Sequence, residues 1–311
     1  MSGSSKRLDV YNLEFQCPDE EMQIGAYVFE PVDDYCDRYK ALQHFISVGG
    51  GHCGGTEPTT GSHQITGQVT RPKEERAAAL GWGHRDPTEL DDILLLLSLF
   101  TRRKVFVLEA EDRGEALIAD PRLFHYGGGL GLSLPKAKRP DPFWGDEYSI
   151  DLANGLSGVN ETIRSENWQS TYGKGHFLFL FGSACHRQII ETSFLLSWTI
   201  WEHLFRLHNE HWISQRSIKN VNAREKIRYV LTHYGLVDQI SQDDAKNVDR
   251  LTLIRHRLSH DGSFAESNDA MAADLFVRLT EFVVARTLGL EPSEVFSPKE
   301  RWDRLSRGEL L

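Results

Sequence analysis

The chain of 311 residues is long enough for two domains, and 40% hydrophobic with 26% charged residues is typical of a soluble globular protein. Thirty-five basic against 45 acidic residues give a net charge of −10, which argues against a general nucleic-acid coat protein but leaves room for a small basic site. No stretch approaches the roughly 20 apolar residues that span a bilayer, the first residues lack a signal-peptide core, and the widely spaced cysteines indicate a reducing cytoplasm.

The first 70 residues are predicted to be rich in β-strands. Apolar residues alternate loosely from Leu8, and an apolar cluster at Tyr27–Phe29 ends at Pro31. The glycine-rich run at residues 49–55 lacks the Gly-Lys-Ser/Thr ending of a phosphate loop, so we predict a flexible hairpin tip there. Four nominal metal ligands lie nearby: His44, His52, Cys53 and His63. They lack the paired spacing of a zinc site, and we predict no metal.

From Asp86 the pattern becomes helical. Pro87 and the acidic residues after it suit a first turn, the apolar residues 90–100 suit a buried helix, and Val105–Leu108 is typical of a strand. A proline-rich polar segment at residues 135–144 is the best candidate for a domain boundary. The sequence thus predicts an α+β protein, with a β-rich domain at residues 1–148, an all-α bundle at 149–290 and a polar tail at 291–311.

The carboxy-terminal half is predicted to be helical. Aromatic residues between Phe194 and Phe205 recur at i, i+4, i+7 and i+11, which indicates the core side of a long helix within Ala184–Trp212. Glu191 and Glu202 are eleven residues apart, about three turns, and so share one face of that helix. A carboxylate there could orient a catalytic group or simply face solvent, and the sequence leaves both interpretations open. Further helices are predicted at residues 152–168, 223–234, 243–260 and 268–288, followed by a tail with a short apolar contact at 302–305 at most.

The segment from Leu251 to Phe264 carries the main chemical signal. Arg255 and His260 stand at the end of a predicted helix that stops at Gly262, and they combine a permanent cation with a side chain that exchanges protons near neutral pH. Five residues of ideal helix rotate a side chain by about 500°, so the two would lie roughly 140° apart. They can act on one atom only if the helix frays at His260. His256 and His260, four residues apart, share a face.

Arg255-His256-x-x-x-His260 resembles the Arg-polar-x3-His motif of HEPN domains, four- to five-helix modules common among ribonucleases of toxin and antiviral systems. The helix sequence from Leu195 to Phe205 resembles the corresponding helix of Apea-like HEPN proteins, in which an acidic residue near Glu202 is usual and a β-rich half precedes the helices. The resemblance implies a homodimeric endoribonuclease that needs no metal or cofactor, in which two motifs meet at a composite site. Residues 1–148 would then sense an unknown trigger.

The resemblance also implies a role for each motif residue. His260 would act as general base or acid at the ribose 2′-OH or the leaving 5′-oxygen, Arg255 would stabilise the phosphorane, and His256 would shape or share proton transfer. Glu202 and Glu191 would support them. RNA carries its own nucleophile, so cleavage to a 2′,3′-cyclic phosphate requires only a proton acceptor, a proton donor and neutralising charge.

Other functions remain open. The same residues could form a module that binds a nucleotide or a protein partner without catalysis, or His260 could be a favourable dipole partner at a helix end. A metal hydrolase using His256 and His260 is disfavoured, because Arg257 stands where the zincin pattern needs Glu.

Overall fold

The computed structural model describes residues 7–15, 19–40, 64–80, 87–101, 105–108, 136–141, 145–150, 152–185, 190–290 and 302–303. The chain forms two compact units, Met1–Arg164 and Ser165–Leu311. A five-stranded antiparallel sheet lies in the first unit and a set of helices makes up the second. The predicted α+β class is therefore confirmed.

The sheet of the first unit is antiparallel throughout. Its strands, in spatial order, are β2 (Met22–Ile24), β3 (Tyr27–Pro31), β4 (Ile65–Thr70), β1 (Arg7–Tyr11) and β5 (Phe106–Leu108). Thr70 of β4 is paired with Arg7 on one side and with Val28 on the other. Burial alternates along β1 and β3, as the sequence predicts for strands that cover a core with one face.

Two helices complete the described core of this unit. Helix α1 (Glu89–Thr101) begins with acidic residues and buries most of its apolar side chains, in agreement with the prediction for residues 90–100. Helix α2 (Leu152–Arg164) packs against α1 and β2. Glu89 of α1 is buried and accepts a hydrogen bond from Asn160 of α2 at 2.7 Å, and Arg164 reaches Asp92 at 3.0 Å.

These polar contacts explain where the first unit ends. Because α2 is tied to α1, the unit extends to Arg164, whereas the sequence places the break near Tyr148. Strand β6 (Lys136–Asp141) lies in the polar segment predicted as the boundary and forms an antiparallel hairpin with β7 (Gly145–Ile150), which follows that segment. The glycine-rich run at residues 49–55 and the nominal ligands His44, His52, Cys53 and His63 lie outside the described residues.

The second unit contains seven helices among its described residues: α3 (Glu166–Tyr172), α4 (His176–Cys185), α5 (Ile190–Asn209), α6 (Gln215–Asn220), α7 (Ala223–His233), α8 (Gln242–Asp261) and α9 (Ser267–Thr287). The single helix predicted at residues 152–168 is interrupted, because the Ser165 side chain accepts a hydrogen bond from the backbone N–H of Trp168 and so caps α3. Helix α5 is central and packs against α3, α4, α7, α8 and α9.

The core of this unit is aromatic, as the spacing on α5 predicts. Phe194, Trp198, Trp201 and Phe205 are all buried. Phe276 of α9 lies 4.7 Å from the ring of Trp201, centroid to centroid, and the Trp201 indole donates a hydrogen bond to Thr280 at 2.9 Å. Among the described residues, no helix has both the length and the apolar content needed to cross a bilayer.

Trp302 is more deeply placed than the sequence predicts. Its side chain is fully buried, its indole N–H donates to the carboxylate of Asp244, and its carbonyl accepts from Asn247 at 3.4 Å. Trp302 therefore packs against the first half of α8 as a core residue, so the short contact that the sequence predicts here is present and is deeper than expected.

Candidate functional site at the end of helix α8

Helix α8 is held at both ends. At its start Ser241 and Asp244 form a capping box, in which each side chain accepts a hydrogen bond from the other residue's backbone N–H. At its end Gly262 adopts a left-handed conformation with φ of 71° and donates its N–H to the carbonyl of Leu258. The helix therefore stays regular through Asp261. His260 lies inside it and not in a frayed turn.

The two histidines of the motif lie side by side on the solvent side of the helix. The ring centroids of His256 and His260 are 4.4 Å apart, and both residues are exposed. His260 follows the buried Leu251 by nine residues, which on an ideal helix places it about 180° away. The shared face that the sequence predicts for the two histidines is confirmed.

Arg255 occupies the edge of the buried stripe. It follows Leu251 by four residues, about 40° around the helix, and is half-buried. Its neighbour Arg257 forms an ion pair with Asp269 at 3.2 Å, and Arg250 donates to the carbonyl of Asn268 at 2.9 Å. Within the described part of the chain, no hydrogen bond or ion pair holds the guanidinium of Arg255. Of these three arginines, Arg255 is therefore the one available to an external anion.

The two glutamates proposed as supporting residues lie on α5. Glu202 is paired with Lys226 of α7 at 3.5 Å, and Glu191 stands in the first turn of α5. Among the described residues no contact joins either carboxylate to Arg255 or His260. Their supporting role stays a prediction.

Among the described residues, the fold brings no further metal ligands to His256 and His260. In the described ranges, no cluster of three or more His, Cys, Asp or Glu side chains could hold a metal ion. His256 and His260 thus form a pair of imidazoles with a neighbouring guanidinium, a set suited to proton transfer and anion binding.

Sequence reasoning missed a second group of histidines and tyrosines, built from α3, α5 and α7. His208 Nε2 lies 2.8 Å from the hydroxyl of Tyr234, and the rings of His208 and His233 are 4.1 Å apart. Burial, with a smaller contribution from His233, lowers the pKa of His208 to about 4. Tyr172 and Tyr229 pack against the same imidazole. No local pattern joins these residues, because they come from separate helices.

No protein-family model, curated protein or solved structure significantly matches this chain. The HEPN resemblance therefore rests on the residues quoted from the sequence, and function has to be argued from the site itself.

Proposed function

We propose that this chain is a metal-independent endoribonuclease of HEPN type, with Arg255, His256 and His260 as its catalytic residues. The observation that carries the proposal is the end of α8, where two exposed imidazoles lie 4.4 Å apart and the same helix carries a guanidinium that has no partner among the described residues. Exposed proton-transfer groups and an uncommitted cation are what cleavage of a phosphodiester requires.

The chemistry follows from RNA itself. One imidazole accepts the proton of the 2′-OH, whose oxygen attacks the adjacent phosphorus and forms the new O2′–P bond. The P–O5′ bond breaks, and a protonated imidazole donates the proton that the leaving 5′-oxygen needs. Arg255 stabilises the negative charge that grows on the phosphorane oxygens. The products are a 2′,3′-cyclic phosphate and a 5′-hydroxyl, and DNA is not a substrate.

A site shared by two chains, as the HEPN resemblance implies, is part of the proposal. His260 faces solvent, and Arg255 lies roughly 140° around the helix from it, so one regular helix does not aim both side chains at one phosphate. Leu253 stands on the same outer side, three residues before His256, and is 47% exposed. A second copy covering this side would bury Leu253, and a shared site requires that this copy bring its own Arg255 to the histidine pair.

Mixing two inactive variants tests the shared site. Consider a dimer of one Arg255→Ala chain and one His260→Ala chain. If each site takes its arginine from one chain and its histidine from the other, this dimer keeps one intact site. Equal mixing should then restore roughly a quarter of the parent activity, since half of the dimers are mixed and each has one of two sites. No recovery after subunit exchange would place both residues in one chain or exclude the dimer.

Cleavage itself is tested with mixed-sequence single-stranded RNA in EDTA. The parent should produce cyclic-phosphate ends, and Arg255→Ala and His260→Ala should each lose about 100-fold or more of the rate, as removal of an acid–base or charge-stabilising group does. Exposed residues of the same types provide matched controls, His211→Ala and Arg224→Ala, which should keep full activity. Undiminished cleavage by both motif variants would refute the assignment.

The first unit supports a regulatory role, in which it senses a trigger and restrains the nuclease in an antiviral or toxin-like setting. The support is that this unit is compact and built on its own sheet. A chain of residues 165–311, checked for helix content by circular dichroism, provides the test. Equal activity per molecule in this chain and the full chain would remove the reason for the role.

One observation favours a second candidate, a module that binds a nucleotide or a protein partner without cutting. His260 points away from Arg255 in a regular helix, and that arrangement serves two separate contacts as well as one reaction. Replacing His260 by Asn separates the candidates, because binding persists in a binding module and turnover is lost in a nuclease.

A further inference from the structure

An open groove of about 790 Å³ lies within the helical unit, far along α8 from the motif. It is bounded by the end of α5 and the turn after it, by α7 and by the first turn of α8. Gln242 lines the groove and precedes His260 by 18 residues, about 27 Å of helix. The groove is therefore separate from the catalytic residues proposed above.

Three aromatic residues form much of its wall: Phe205, Trp212 and Tyr229. Trp212 is 71% exposed, the largest exposed fraction among the large hydrophobic side chains of the described residues. Tyr229 meets the buried Phe205 edge to face, with centroids 5.3 Å apart. An exposed tryptophan in the same groove as a tyrosine that packs on the core is the kind of platform on which planar rings stack.

The two charged side chains that line the groove, Arg228 and Glu225, are paired with each other, so the lining carries no net charge. Arg228 donates to Glu225 at 2.9 Å, so a donor and an acceptor stand side by side in the wall. The wall is thus better matched to a neutral ring bearing both acceptors and donors than to an isolated phosphate, which Glu225 would repel.

Those properties identify the occupant by its chemistry. A nucleobase is planar, uncharged and edged with alternating donors and acceptors. Peptide side chains combine a ring and two-sided hydrogen bonding less often, and a purely aliphatic ligand would make no hydrogen bond to the Arg228–Glu225 pair. We propose that this groove binds a nucleobase, stacked on Trp212 and hydrogen-bonded at the Arg228–Glu225 pair. The base belongs either to an RNA strand, in which case the groove is a substrate subsite and rests on the proposed nuclease function, or to a free nucleotide.

The test uses the full chain and two probes that it cannot cleave by 2′-OH attack. One is a labelled 2′-O-methyl oligonucleotide of mixed sequence, followed by fluorescence anisotropy, and the other is each of the four nucleoside 5′-monophosphates, followed by calorimetry. Trp212→Ala should weaken binding about 5- to 100-fold, the range that loss of one base–aromatic stack produces. Trp212→Phe should recover most of it. Phe179, 52% exposed, gives the matched aromatic control Phe179→Ala, which should bind as the parent does.

The probes distinguish the two sources of the base. If only the oligonucleotide binds in a Trp212-dependent way, the groove is assigned to an RNA strand. If a monophosphate binds in a Trp212-dependent way and displaces the oligonucleotide, the groove is assigned to a free nucleotide. Because Trp212 is uncharged, the ratio of parent to variant affinity should be the same at 50 mM and at 200 mM salt, to about a factor of two. No binding of either probe, or equal binding by parent and Trp212→Ala, would overturn the proposal.

The proposal and the nuclease assignment fail in different ways. Trp212-dependent binding without RNA cleavage would refute the nuclease and leave the groove, whereas cleavage with binding that ignores Trp212 would refute the groove alone.

Discussion

Acid should destabilise the helical unit through His208. Its imidazole is packed among Tyr172, Tyr229, Tyr234 and His233, and burial lowers its pKa to about 4. In the unfolded chain a histidine has a pKa of about 6.5. Between these values the unfolded chain binds a proton that the folded chain does not, so the free energy of unfolding falls as the pH drops from about 6.5 to 4. Above pH 6.5 His208 is neutral in both states and contributes no pH dependence.

The size of the effect follows from the pKa shift. At about 1.4 kcal/mol per pKa unit the full shift corresponds to about 3 kcal/mol, and partial solvent access reduces it to about 1–3 kcal/mol. Urea unfolding of the parent and of His208→Gln at pH 7.5 and pH 4.5 measures it. The parent should lose about 1–3 kcal/mol more than the variant between these pH values.

Two features make this comparison decisive. His203 on the same helix also has a pKa lowered to about 4, by burial and by Arg206, but it is present in both proteins and cancels. Tyr234→Phe removes the hydroxyl partner of His208 and leaves the buried imidazole, so this control should keep the acid sensitivity of the parent. An equal loss of stability in His208→Gln and the parent would refute the reasoning.

Two further substitutions test the packing of each unit by urea unfolding. Trp302→Ala should lower the free energy of unfolding by about 3–5 kcal/mol, because a fully buried ring and its hydrogen bond to Asp244 are lost; Trp302→Phe should lose less, and an unchanged midpoint would show that this contact does not form. Gly67→Ala should cost about 1–3 kcal/mol or more, because a Cβ there would lie 2.7 Å from the ring of Phe15. Gly158→Ala is the matched control: a Cβ at this helical glycine meets nothing within 4 Å, so the change should be neutral or stabilising by up to about 1 kcal/mol. Equal effects of the two alanines would contradict the steric argument.

Four helices of the second unit, α5, α7, α8 and α9, were predictable because their signals are local. Residues 243–260 were predicted and Gln242–Asp261 observed, since apolar periodicity, acidic residues at the start and glycine beyond the end all lie within the segment itself. The same holds for α7 and α9, whose observed bounds lie within one residue of those predicted. The aromatic stripe from Phe194 to Phe205 identified the core helix, because a wide aromatic stripe on a helix usually packs into a core.

The features that the sequence did not reveal depend on contacts between residues that are far apart in the chain. The extent of the first unit rests on Asn160 meeting Glu89, 71 residues earlier, and the place of Trp302 on Asp244, 58 residues earlier. His208 and Tyr234 likewise meet only because α5 and α7 pack together. No periodicity records such contacts, so the bounds of α7, α8 and α9 were accurate, whereas the extent of the first unit and the depth of Trp302 were not predicted.

The spacing of the motif residues and the cap at the end of α8 together limit how Arg255 and His260 can act. Spacing alone gives about 140° between Arg255 and His260, and it leaves two possibilities: the helix frays, or the residues do not act together within one chain. The left-handed Gly262 comes after Asp261, so His260 remains in the regular helix and the first possibility is removed. The same cap keeps His256 and His260 rigidly side by side, 4.4 Å apart. In a regular helix the spacing alone therefore does not aim Arg255 and His260 at one phosphate, and an arginine supplied by a second copy stays part of the proposal.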